Sequence, residues 1–157
     1  MTVKLRTMLE SEYESYLSVA VKDYAKDKIA AGTWGENDAL RLSEESFQRL
    51  LPRGINTPKE FLYAIVDEEI DKNIGFLWVH LDKSKELSKF FIYDFIIFES
   101  FRNSGYGTKT LACLDEIAKE MSVSQIDLHV FAHNKSAIHL YEKVGFIPTD
   151  ISMSKQI

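Results

Sequence analysis

The sequence predicts an α/β protein on the border with α+β, built as a single domain on a mixed central sheet of six or seven strands with helices on both faces. Three observations carry this. The hydrophobic period alternates between strand-like and helical in the order β-α-α-β-β-β-α-β-α-β. A nearly continuous apolar run, Phe90 to Phe98, reads as a strand covered on both faces and is the expected sheet centre. That strand leads through two glycines, Gly105 and Gly107, into a helical pattern, the arrangement of a β-α-β crossover.

The elements follow in order. Val3 and Leu5 alternate with polar neighbours in a first strand. Leu9, Tyr13, Tyr16, Leu17, Ala20 and Tyr24 recur at helical spacing, predicting a helix to about Ala30 that Gly32 to Gly35 breaks. A second helix carries Ala39, Leu42, Phe47, Leu50 and Leu51, and Pro52, Gly54 and Pro58 stop it. Phe61 to Val66 and Ile74 to Leu81 are short, aromatic and β-branched, and the polar link between them predicts a hairpin. The link Asp67 to Asp71 reads as a solvated turn. After the Phe90 strand, Leu111, Leu114, Ile117 and Met121 mark a third helix, and Ile126, Leu128 and Val130 alternate in a further strand. A last helix runs from about Asn134 to Val144, Gly145 is its expected C-cap, and Ile151 to Met153 is the predicted final strand.

The 157 residues fit one domain, and 45% hydrophobic with 27% charged residues describes a globular chain with a real core. A net charge of −5 has the wrong sign for binding nucleic-acid backbone, so an anionic ligand must be held locally. Cys113 is the only cysteine and reads as a packed thiol, which with the lack of a leader-like or membrane-spanning run leads us to expect a cytoplasmic protein. His129 and His133 flank the end of a strand-like run and no His-Glu-x-x-His occurs, so no metal is expected.

The chemistry concentrates between Asp94 and Leu111. A strand, a glycine turn and a helix N-terminus converge unpaired N–H groups and the helix dipole on one point, and Arg102 and Lys109 add charge there. Thr110 spoils a dinucleotide fingerprint and Thr108 spoils a Walker A loop. What remains is Arg-x-x-Gly-x-Gly, formed by Arg102, Gly105 and Gly107. Asn134 and Tyr141 are seven positions apart, within about 20° of one helix face, so both can meet one ligand. As a carboxylate in an apolar strand, Asp94 is either a base of raised pKa or a structural acid.

The Arg102 loop, with the strand before it and the segment Ala132 to Phe146 after it, resembles the acetyl-coenzyme A binding half of the GNAT superfamily of N-acetyltransferases. The helix pair with Gly32-Thr-Trp34 and Leu51-Pro-Arg-Gly54 resembles its YycN-like bacterial members. The resemblance implies one GNAT-like domain over 1–157, an acceptor-side half to about 88 and a cofactor half from about 89. It implies an acetyl-CoA-dependent N-acetyltransferase that acylates a primary amine of a small molecule or peptide, with neither nucleic acid nor membrane as partner and a homodimer as an allowed assembly. The alternative is a non-catalytic acyl-CoA-binding module. Cofactor contacts fall on Ile96, Ile97, Phe98, Arg102, Asn103, Ser104, Gly105, Tyr106, Gly107, Thr108, Asn134 and Tyr141. The pantetheine pairs with backbone of Ile97 and Phe98 in a gap between strands, and the Ile97 N–H faces the oxyanion. Tyr141 is the implied acid towards the thiolate, while Asp94, His80 or a water chain is the base. Tyr24, Trp34, Trp78 and His80 are the expected acceptor-side residues.

Overall fold

A computed structural model describes residues 1–84 and 86–157. Its elements are β1 (Val3–Thr7), α1 (Glu10–Ala30), α2 (Ala39–Leu50), β2 (Glu60–Asp67), β3 (Lys72–Lys83), β4 (Ser88–Ile97), α3 (Tyr106–Glu120), β5 (Gln125–Leu128) and α4 (Lys135–Lys143), with short 3-10 turns at Gly54–Asn56 and Glu99–Phe101. The strands lie in the order β1-β2-β3-β4-β5, antiparallel except for the parallel pair β4 and β5.

Local chemistry explains most boundaries. The Glu12 carboxylate turns back to accept from the Leu9 N–H at 2.8 Å, capping α1, and takes both Arg6 guanidinium nitrogens at 2.9 Å. Ser43, fully buried on α2, donates to the Val21 carbonyl at 2.6 Å and ties the two helices together. Two cores result, one on each face. Tyr13, Tyr16, Phe47, Leu62, Phe76 and Trp78 pack between the sheet and α1 and α2, while Ile65, Leu77, Val79, Phe90, Leu111 and Leu114 pack beneath α3.

Four expectations need correction. The sheet has five strands rather than six or seven, because residues 147–157 form no strand: Ile147, Ile151 and Met153 are 79%, 76% and 89% exposed. Their alternation is a strand signal, but a strand persists only where an edge pairs with it. The centre of the sheet is β3, not β4; the apolar run of β4 instead includes groove-lining residues that stay half-buried. β5 ends at Leu128, short of Val130. Asp67 is not solvated: only 2% exposed, it accepts from Tyr106 Oη at 2.6 Å and from the N–H groups of Thr2 and Glu69.

Two features of β3 and β4 position the site. At Gly75 the strands approach so closely that a Cβ would sit 2.1 Å from the Ile96 carbonyl oxygen. At Trp78/Val79 the register slips, with Asp94 facing Trp78 and Ile92 facing Val79, which leaves Tyr93 as an extra residue. The bulge turns Tyr93 and Asp94 to the same face, Tyr93 stacking on Trp78 at 4.6 Å and Asp94 reaching Tyr16.

Candidate active site

β4 and β5 pair only as far as Ile92 and Leu128, although β4 continues to Ile97. Beyond that point the strands part, and a cavity of about 1090 Å³ opens between them, bounded by α1, the loop before α3 and α4. It brings Asp94, Ile97, Arg102, Gly105, Asn134 and Tyr141 together.

Asp94 accepts from Tyr16 Oη at 2.7 Å and from the Phe95 N–H at 3.0 Å. Burial lifts its pKa from the ordinary 3.8 to about 6, against the pull of those two donors and with a further push from Asp23 and Asp27 on α1. It is thus a raised carboxylate that is also held structurally. Tyr141 lies on the cavity wall, its ring 5.5 Å from Phe146, and burial followed by the charge of Asp94 pushes its phenol up to about 12. It therefore keeps its proton at any physiological pH.

The loop has the conformation that its glycines foreshadow. Asn103 and Gly105 take φ of 58° and 90°, and Gly105 caps α3. The first turn of α3 leaves the N–H groups of Tyr106, Gly107 and Thr108 without intrahelical acceptors. Gly107 has another reason: a Cβ there would meet Leu140 Cδ2 at 2.8 Å, so it lets α3 and α4 touch. The Tyr106 side chain belongs to the core through Asp67, leaving only its backbone for a ligand. Ser104 Oγ donates to the Arg102 carbonyl and lies off the cavity wall.

Several expected groups are already engaged. The Arg102 N–H donates to Glu99 O, and its Nε donates to the Ile97 carbonyl at 2.8 Å. Lys109 turns away to the Met1 carbonyl, so it adds no charge at the loop. The Phe98 N–H, expected to face pantetheine, donates to Ile74 O at 2.9 Å. Because backbone direction alternates along a strand, that bond turns the backbone of Ile96 and Phe98 towards β3 and that of Ile97 towards the gap. Asn134 caps α4, its Oδ1 accepting from the Ala137 N–H at 3.2 Å, and also lines the cavity.

Of the residues expected on the acceptor side, Tyr24 and Trp78 line the cavity, Trp78 while only 2% exposed. Trp34 does not. It packs edge-on against Tyr24 at 5.5 Å with Lys28 Nζ 5.2 Å above its ring, as an anchor for the α1–α2 link. His80 is not brought to the cavity either; it pairs through Nδ1 with Glu60, whose side chain is 4% exposed and whose other oxygen accepts from Trp78 Nε1 at 3.3 Å. Cys113 is a packed thiol that donates to Val3 O, and burial raises its pKa. Among the described residues no His, Cys, Asp and Glu cluster is arranged to hold a metal. Sequence reasoning missed Tyr16 and Glu60. Tyr16 sits in the apolar stripe of α1 and looks like packing, and only the sheet's register brings its hydroxyl to Asp94.

Comparison with known proteins agrees with this geometry. Residues 16–146 match the model of the acetyltransferase (GNAT) family. The chain is 43% identical to the uncharacterized N-acetyltransferase YycN of Bacillus subtilis over the whole of both proteins, and 35% identical to YdgE of the same organism over all of this chain and 99% of that one. A crystal structure of the Bacillus subtilis YycN acetyltransferase superposes with a TM-score of 0.95 at 43% identity, covering 99% of each chain. A metagenomic aminoglycoside acetyltransferase in complex with sisomicin shares the fold at a TM-score of 0.61 and 11% identity, covering 99% of this chain and 96% of the other. A parted β4–β5 pair beside an Arg102 glycine loop, in a chain matched to that family over most of its length, assigns this protein to the GNAT acetyltransferases.

Proposed function

We propose that this protein is an N-acetyltransferase that moves an acetyl group from acetyl-CoA directly to a primary amine of a small molecule or peptide. One observation carries the proposal: a raised carboxylate, Asp94, and a proton-holding phenol, Tyr141, line the same cavity, next to a helix N-terminus suited to phosphate. The cavity is large enough for an extended cofactor arm. The free N–H groups at the start of α3, with the left-handed turn at Gly105, suit a pyrophosphate despite the chain's net charge of −5.

Acetyl-CoA supplies a thioester carbonyl open to attack by an amine. The Ile97 N–H, turned into the gap, is the donor suited to the carbonyl oxygen as charge develops on it. Asp94 is largely ionised above pH 6 and takes the ammonium proton of the acceptor. With an alkylamine near 10.4 that transfer is uphill by about 6 kcal/mol, well inside the roughly 16 kcal/mol barrier of an enzyme turning over about ten times per second. As the C–S bond breaks, Tyr141 donates its hydrogen bond, and then its proton, to the departing sulfur, and the second proton lost from the acylated nitrogen restores the phenol. A module that only bound acyl-CoA would need neither group at an open cavity.

Thermal shift with acetyl-CoA, CoA, NAD and ATP tests the reading, since a ligand of the native state raises the melting temperature. Stabilisation by acetyl-CoA and CoA alone is expected; stabilisation by NAD or ATP without CoA would overturn it.

A further inference from the structure

The cavity carries charges that acetyl transfer itself leaves unused, and they differ from wall to wall. α1 brings Asp23 and Asp27, whose negative charges act on Asp94. Asp27 is already engaged, its Oδ1 2.9 Å from His133 Nε2. Asp23 and Asp94 are left to face one ammonium. The last turn of α2 supplies a wall of opposite sign, where Arg49 borders the cavity with Ser46, Phe47 and Leu50.

Arg49 is a cation without a partner. Arg6 pairs with Glu12, Arg41 with Asp38 and Glu45, and Arg102 donates to the Ile97 carbonyl, whereas the exposed Arg49 guanidinium makes no ion pair or hydrogen bond among the described residues. Of the α1 cations on the cavity, Lys28 lies over the Tyr24 and Trp34 rings and Lys26 is exposed. Tyr93 joins Arg49 on the cavity wall, stacked on Trp78 at 4.6 Å, and its hydroxyl likewise has no hydrogen-bond partner among the described residues. Burial and then Glu60 raise the Tyr93 phenol while Arg49 pulls it down, so the guanidinium acts on that hydroxyl through space. Glu60 does not border the cavity and is paired with His80. Because the β4 bulge turns Tyr93 and Asp94 to the same face, a donor for an anion and the acceptor of an ammonium proton stand side by side.

We infer that the amine acceptor is an amino acid, its ammonium received by Asp94 with Asp23 nearby and its carboxylate held by the Arg49 guanidinium and the Tyr93 hydroxyl. The inference rests on the acetyl-transfer reading and narrows its substrate. A guanidinium presents parallel N–H groups that match the two oxygens of a carboxylate, and the phenol adds a further donor. A diamine would bring its second charge against Arg49, since Asp27 is taken by His133.

Calorimetric titration of the CoA-loaded protein, run beside thiol release from acetyl-CoA, tests it with leucine, phenylalanine and 4-aminobutyrate, each against its own amide, and with putrescine. An acid of the panel is expected to bind, and to exceed its amide about tenfold or more in kcat/KM although the α-amides start from a less basic amine. Arg49→Gln should collapse that ratio, mainly through the KM of the acid, and Arg49→Lys should restore part of it; both variants should melt as the parent does, because the side chain is exposed. No binding of any acid, amides used as well as acids, putrescine preferred, or a preference that survives Arg49→Gln would each overturn the inference. Binding that follows the carboxylate and Arg49 without thiol release would overturn acetyl transfer and leave the carboxylate site standing, whereas release from amides as fast as from acids would do the reverse.

Discussion

Replacing Asp94 by asparagine separates what this carboxylate does for the fold from what it does for the reaction. Its pKa stands at about 6 instead of 3.8, chiefly through burial, so the folded protein holds this proton more tightly than the unfolded chain does. The sign follows from linkage. Below about pH 4 the group is protonated in both states and burial of charge costs nothing. As pH rises from 4 to 6 the unfolded chain ionises first, stability falls, and above 6 the full penalty stands. A rise from 3.8 to about 6 is worth at most about 3 kcal/mol. Asparagine carries no charge, and Tyr16 can rotate its hydroxyl to meet the amide. Asp94→Asn is therefore expected to melt up to about 6–12 °C higher than the parent at pH 8 and at nearly the same temperature at pH 4, measured by calorimetry across that range. The same variant should lose about 10²-fold or more in kcat, together with the acidic limb of the rate profile. An equal melting temperature at pH 8, or a difference that does not fade towards pH 4, would refute the argument.

Tyr141→Phe should lower kcat about 10²-fold while acetyl-CoA still raises the melting temperature as in the parent, because the ring and its packing remain. Tyr16→Phe removes a hydrogen bond that favours the ionised form of Asp94, so the acidic limb of kcat against pH should move upward from 6; a limb that stays or moves down contradicts the Tyr16–Asp94 contact. Gly75→Ala puts a Cβ 2.1 Å from the Ile96 carbonyl oxygen, which should cost about 3 kcal/mol in denaturant unfolding and depress activity through the displaced Ile97.

The order of elements up to α4 was legible in the sequence because each is decided locally: apolar spacing in α1 to α3, a polar link in the β2–β3 hairpin, glycines at the start of α3. The loop and the shared face of Asn134 and Tyr141 were legible for the same reason. What was hidden depends on pairing between distant residues. The bulge at Tyr93 sets which face Asp94 takes, and no single strand's pattern records it. Tyr16 and Glu60 meet Asp94 and His80 across 78 and 20 residues. His80 and Trp34 attracted notice as a titratable group and an aromatic, but a buried carboxylate and a helix link claim them. The predicted strand at Ile151 failed because alternation specifies faces and not a partner, and residues 151–153 stay exposed and pair with no strand among the described residues.

In the proposed reaction the cavity between the parted strands uses Asp94 and Tyr141 to pass an acetyl group to an amine. Thiol release from acetyl-CoA, followed against pH with a panel of primary amines, tests it most directly. Release that requires an amine, with intersecting initial-velocity lines and an acidic limb near pH 6 that Asp94→Asn abolishes, is the predicted result. Amine-independent binding without release across the panel, or an acidic limb unchanged in Asp94→Asn, would contradict it.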